Sequence, residues 1–193
     1  MNFLAHLWLT DRANLPLAGA LLGDYFRGAL PADLPPDLAQ SVRLHRRIDA
    51  TTDRHPMVAA ARTRFAAGAR RYSGILLDVL YDHILALEWP QYSGEPLQDF
   101  ALRAARDIGA QAAWFERAGG PVPEAASFNT LLLSYASEAG IEHALRRTAR
   151  RLKKPQGMLD ALPGWQAHLP GVRADLPALL ADLRVLSENF GKC

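Results

Sequence analysis

GILLDVLYDHILALEW, residues Gly74 to Trp89, is apolar on almost every face of a helix, yet it carries Asp78, Asp82 and His83 in its middle. A helix that is hydrophobic all round belongs in the interior of a domain. An ionised carboxylate is costly there unless something pairs with it, so these acids need partners. Asp78 and Asp82 are four apart and share a face, whereas His83 is turned roughly 100° away from Asp82. A carboxylate and an imidazole in such a setting suit a metal ion. The competing reading is that Asp78 or Asp82 caps another helix or pairs with an arginine.

Outward from this stretch, apolar residues recur at three and four rather than two, and no hairpin pattern of alternating β-branched residues occurs. The chain therefore reads as all-α. The pattern predicts helices over 2–10, 16–27, 37–51, 56–71, 74–89, 96–118, 127–138, 140–153 and 174–190, with 155–170 as a weakly patterned connection. With 193 residues, 49% of them hydrophobic and 22% charged, the chain can bury one core. The expectation is a single domain over residues 1–193, built as a bundle of about seven to nine helices.

The same composition excludes several classes. The only cysteine is Cys193, which leaves no disulfide framework and no thiolate zinc site and points to a reducing, cytoplasmic setting. The opening MNFLAHLWLT lacks a basic start and runs into Asp11-Arg12, unlike a secretory signal, and no apolar run is long enough to span a membrane. A net charge of +2 is too small to argue for nucleic acid as the partner.

Two further constellations precede the apolar stretch. In DLAQSVRLHRRIDATTD, Leu38, Val42, His45 and Asp49 follow one helical stripe, so His45 and Asp49 face inward with the apolar residues. Such a pair is either a ligand with its orienting carboxylate or an ordinary core hydrogen bond. Asp53 and His55 follow in a turn closed by Pro56, where capping competes with ligation. In GALLGDYFRG, residues 19 to 28, Gly23 permits close backbone approach and Asp24 can reach into a site between helices. His6 reads as a core histidine or a ligand.

NFLAHL, GALLGD with Gly28, LHRRID followed by Thr52-Asp53, and DVLYDHIL occur in this order in the first half of the chain. Together they resemble the acyl carrier protein phosphodiesterase family, also called the acyl carrier protein hydrolases. The likeness is thinner afterwards, resting on LLLSYASEAGIEHAL and the arginine-rich segment that follows. Trp8 and Ala20 stand where the family usually carries histidine and asparagine. The family is itself similar to the HD-domain metal phosphohydrolases, with rearranged motifs. The resemblance thus implies an HD-like helical fold that removes 4′-phosphopantetheine from the serine of holo-acyl carrier protein, using Mn2+ or Mg2+. It implies Asp24, His45, Asp82 and His83 as metal ligands, with His6, Asp49, Asp53 and Asp78 as neighbouring or alternate ligands.

The chemistry is consistent with such a set. A phosphodiester is anionic and weakly electrophilic, so a metal that neutralises its oxygens and activates water is an appropriate catalyst, with Asp24, Asp49 or Asp78 moving protons. Arg46 or Arg47 can clamp the non-bridging oxygens, or else form a solvated helix face. Arg146, Arg147, Arg150, Arg151, Lys153 and Lys154 form a run of six cations with no acid, while Ile141, Leu145 and Leu152 face inward. Such a surface, joined by Arg70-Arg71, suits an acidic partner such as acyl carrier protein. The alternatives are a phosphohydrolase acting on a nucleotide or other small phosphate ester, and a non-catalytic helical binding protein.

Overall fold

The computed structural model describes residues 1–191, so Cys193 lies outside the described residues. In chain order the helices are α1 (Phe3–Arg12), α2 (Gly19–Tyr25), α3 (Pro36–Arg54), α4 (Pro56–Thr63), α5 (Ser73–Leu87), α6 (Leu97–Ala110), α7 (Ala112–Arg117), α8 (Ala125–Ser134), α9 (Glu138–Arg150), α10 (Gln156–Leu159) and α11 (Leu169–Glu188). Short 3-10 turns occupy Arg70–Tyr72, Trp89–Gln91 and Trp165–His168. No strand occurs among the described residues, as the apolar periodicity predicts. None of the described helices is long and apolar enough to cross a membrane.

α5 is the central helix. Leu76, Leu77, Leu80, Ile84 and Leu85 are all buried, each contributing roughly 1.5–3 kcal/mol on leaving water. Helices α1, α4, α9 and α11 pack around it, and its all-round apolar surface is what makes it the axis of the bundle.

α2 lies close against α3 because Gly19 and Gly23, four apart, turn one bare face toward it. A Cβ at Gly19 would overlap Ser41, and one at Gly23 would overlap the His45 ring. The approach is pinned by Ser41 Oγ, which donates to the Pro16 carbonyl, and by His45 Nδ1, on the Ala20 carbonyl; both distances are 2.7 Å.

The bundle contains more helices than expected, for local reasons. The segment read as one helix over 96–118 breaks at Gln111, whose φ of −105° and ψ of 20° fall outside helical values, two residues after Gly109. The helix expected over 56–71 ends at Thr63, and the chain then turns Phe65 into the core, stacked on His168 at 3.9 Å. Within 155–170, Met158, Leu162 and Trp165 are buried, and α10 and a 3-10 turn form around them. α11 begins at Leu169, before the expected 174, since Pro170 is tolerated in a first turn. Arg64 ties the end of α4 to α11 through a two-pronged pair with Asp175, at 2.6 and 3.1 Å.

Candidate metal centre

α3 supplies the middle of the site. Leu38, Val42 and His45 lie along its buried stripe, and Asp49 follows where the stripe reaches the surface. The Ala20 carbonyl takes the proton of His45 Nδ1, which fixes the tautomer and leaves Nε2 for the acids. That Nε2 lies 3.1 Å from Asp49 Oδ2 and 3.5 Å from Asp24 Oδ1. From α1, His6 Nε2 reaches the other oxygen of Asp49 at 2.9 Å. The two imidazoles stack with 4.2 Å between centroids. One ligand atom from each of His6, His45 and Asp49 falls within 4.8 Å of the others. Both rings are buried, whereas the Asp49 and Asp24 side chains are 43% and 55% exposed, so the cluster opens on its carboxylate side.

The charges are strongly coupled. Burial works against the His45 imidazolium, but hydrogen bonds and attraction from Asp24 and Asp49 outweigh it and hold the group up at about 9. Burial takes His6 down to about 4, against its bond to Asp49 and aided by the charge of His45. Burial alone would raise the Asp49 carboxyl, yet its bonds to the two imidazoles hold it well below the usual carboxylate range. A charged and a neutral imidazole therefore share one carboxylate. His6 Nδ1 is buried with no partner.

Two imidazole nitrogens and the oxygens of two acids form a donor set suited to a divalent cation of hard or borderline character. No thiolate takes part, and the His45 Nδ1 bond is the kind of outer contact that orients a ligating imidazole. The residues thus fit a divalent ion.

The structure brings together His6, Asp24, His45 and Asp49 from the expected set. Asp78 pairs with the α-amino group of Met1 at 2.9 Å, and that group also feels the charge of Asp49. Asp82 and His83 do not join the cluster, contrary to expectation, because each is committed to backbone. Asp82 accepts the N–H groups of Leu4 at 2.7 Å and Ala5 at 3.1 Å and so caps α1, a duty the side chain of Asn2 does not perform. Burial pushes the Asp82 carboxyl up to about 7 against those two donors. His83 Nδ1 donates to the Tyr135 carbonyl at 2.6 Å, and the ring meets Trp165 edge-on.

Other expected residues also have structural duties. Asp53 pairs with Arg62 at 2.7 Å on the surface. His55 caps α4 by accepting from Met57 N and reaches Asp182 at 3.2 Å. Arg46 donates to the carbonyls of Phe26 and Gly28, at 2.7 and 2.9 Å, and ties down the α2–α3 loop rather than standing free to clamp phosphate. Arg47 is exposed and makes no side-chain hydrogen bond among the described residues.

In the basic segment, Arg146 pairs with Glu142 at 2.6 Å. Arg150, Arg151, Lys153 and Lys154 are exposed and have no acidic partner among the described residues. The Tyr72 hydroxyl donates to the Lys154 carbonyl at 3.4 Å, which brings Arg70 and Arg71 to the same end of the molecule. Two contacts that decide which histidine joins the cluster, from His45 to the Ala20 carbonyl and from His83 to the Tyr135 carbonyl, involve backbone and leave no mark in a sequence.

The family model described as acyl carrier protein phosphodiesterase matches residues 1–183. The chain belongs to this family. Among its acyl carrier protein phosphodiesterase relatives are proteins of that name from Escherichia coli strain K12 / DH10B and from Escherichia coli O157:H7 strain EC4115 / EHEC. Each is 44% identical over 109 residues, which is 56% of this chain and 56% of the relative. The chain thus spans about half the length of the curated relatives it matches. No solved protein structure matches it.

Proposed function

We propose that this chain hydrolyses the phosphodiester joining 4′-phosphopantetheine to the serine of holo-acyl carrier protein, in the cytoplasm. In this reading a divalent cation, Mn2+ or Mg2+, is held by His6, Asp24, His45 and Asp49. The observation that carries it is the convergence of two imidazoles on one half-exposed carboxylate, with a second acid at 3.5 Å from the same nitrogen. The family and the names of the Escherichia coli relatives support the substrate.

Cleaving a phosphodiester requires neutralised oxygens, a nucleophile near neutral pH and a proton for the departing serine oxygen. A bound divalent ion supplies charge neutralisation and lowers the pKa of water. The rest falls to the protein. The Ala20 carbonyl holds His45 in one orientation, and the two imidazoles keep Asp49 ionised. Asp24, the more exposed acid, stands at the opening, where it can take a proton from water and pass it to the serine oxygen. The cations Arg150, Arg151, Lys153 and Lys154 give an acidic carrier protein a surface on which to land.

The test is the intact mass of holo-acyl carrier protein after incubation with this protein and Mn2+. Conversion to the apo mass, abolished by a chelator, is the expected result; an unchanged mass with every divalent metal tried would contradict the reading.

A further inference from the structure

The loop between α2 and α3 encloses a hollow of about 610 Å³, walled by Gly28, Leu30 and Leu34 of the loop and by Ala39, Arg43 and Arg46 of α3. Small-molecule sites fall in the range of about 300–1,000 Å³ and are largely formed before the ligand arrives. This hollow is formed in that sense. Phe26 and Leu34, toward the two ends of the loop, are buried. Between them Arg46 holds the carbonyls of Phe26 and Gly28, and Asp33 pairs with Arg117 of α7.

The hollow adjoins the metal centre. Arg46 follows His45 on α3, and the loop that it holds leaves α2 just after Asp24, whose Oδ1 lies 3.5 Å from His45 Nε2. Phe26 is two residues from Asp24, a span of at most about 7 Å. A substrate whose phosphorus sits at Asp24 therefore has this hollow beside it.

The chemistry of the walls indicates which part of the substrate enters. The phosphodiester joins a protein to an arm that is uncharged beyond the phosphate: a dimethyl-substituted carbon, a hydroxyl, two amides and a terminal thiol. Leu30, Leu34 and Ala39 offer apolar surface to the methyl and methylene groups. Arg43 is exposed and its side chain makes no hydrogen bond among the described residues, so its guanidinium is free to donate to amide carbonyls. Arg46, which donates to backbone, is a wall.

We propose that the hollow between the α2–α3 loop and α3 receives the pantetheine arm of the substrate, with Arg43 donating to its amide carbonyls. The occupant rests on the proposed reaction, and the test separates the two. The arm ends in a thiol and the chain's only cysteine is Cys193, so disulfide trapping reports where the arm lies. Holo-acyl carrier protein, activated as its thiopyridyl disulfide, is mixed in chelator with Cys193→Ser protein carrying either Ala32→Cys or Ala181→Cys. Ala32 is an exposed residue on the rim of the hollow, and Ala181 is an exposed residue of α11. The introduced thiolate attacks the sulfur of the arm, a new disulfide forms and thiopyridone leaves, its absorbance giving the rate. Each rate is divided by that with dithiodipyridine, which has no arm, to remove differences in thiol reactivity.

The normalised rate should be at least about tenfold higher for Ala32→Cys, since a seated arm presents its sulfur at high local concentration. Adding Arg43→Ala should reduce that preference. In the Mn2+-supplied reaction Arg43→Ala should raise KM by about 3- to 10-fold, as for one lost hydrogen bond, with kcat and Mn2+ affinity unchanged. Equal normalised rates at the two positions, or a preference that Arg43→Ala leaves intact, overturn the arm site. Preferential trapping in a protein that leaves holo-acyl carrier protein uncut with every divalent metal overturns the proposed reaction and keeps the hollow as a pantetheine site.

Discussion

Gly23 has no side chain because the His45 ring occupies the place where its Cβ would be. The contact sets the distance between α2 and α3, and with it the reach of Asp24 to His45. Gly23→Ala should displace the imidazole from the Ala20 carbonyl at a cost of about 1–3 kcal/mol for overpacking. Metal affinity should fall by about 10- to 100-fold, as when the outer contacts of a ligand are lost. Calorimetric titration with Mn2+ checks this, and an affinity equal to that of wild type would show that the close approach does not position His45.

Asp82 should matter to folding more than to metal binding. Its carboxylate is the cap of α1, so Asp82→Ala leaves two buried N–H groups unmade. A loss of about 1–3 kcal/mol is expected, with a fall in Tm of about 2–4 °C for each kcal/mol. Asp82→Asn retains one acceptor and should fold well enough for titration, with Mn2+ affinity close to wild type. A variant that folds normally but no longer binds Mn2+ would make Asp82 a ligand after all.

The Arg64–Asp175 fork predicts a stability effect remote from the site. Asp175 is buried while Arg64 is partly exposed, so Arg64→Ala strands an acid at the junction of α4 and α11. We expect a loss of about 1–3 kcal/mol and unchanged Mn2+ affinity. Chemical denaturation measures the first and titration the second.

The metal-free protein should lose stability toward alkaline pH. His45 is held up at about 9, above its ordinary value of about 6.5. Its proton therefore favours the folded state, a contribution complete below about pH 6.5 and lost as pH rises through about 9. Asp49 acts in the opposite sense: its depressed carboxyl stabilises above the ordinary carboxylate range and the effect is lost only as pH falls through its lowered value. Tm measured in a chelator should fall across pH 6.5 to 9 more steeply in wild type than in His45→Asn. Parallel curves would mean that His45 carries no such proton.

The helical class and the inward stripe of α3 are legible in the sequence, whereas what each inward side chain meets is not. The all-round apolar pattern of α5 marks the bundle axis, and the stripe of Leu38, Val42, His45 and Asp49 marks one wall of the candidate site. Helical spacing fixes the direction of a side chain but not what stands opposite it. Asp82 and His83 point inward as expected and meet backbone, respectively the start of α1 and the Tyr135 carbonyl. Arg46 likewise lies next to the site and spends its donors on the α2–α3 loop. The short helix Gln156–Leu159 forms around the buried Met158, a tertiary effect that local periodicity does not encode.

The most direct test of the metal centre is anomalous scattering from a crystal of the protein grown with Mn2+. A peak bound by His6 Nε2, His45 Nε2, Asp49 and Asp24, at coordination distances of about 2.0–2.3 Å, is the predicted result. A peak held instead by Asp82 or His83, or no ordered ion near Asp49 in a crystal saturated with the metal, would contradict it.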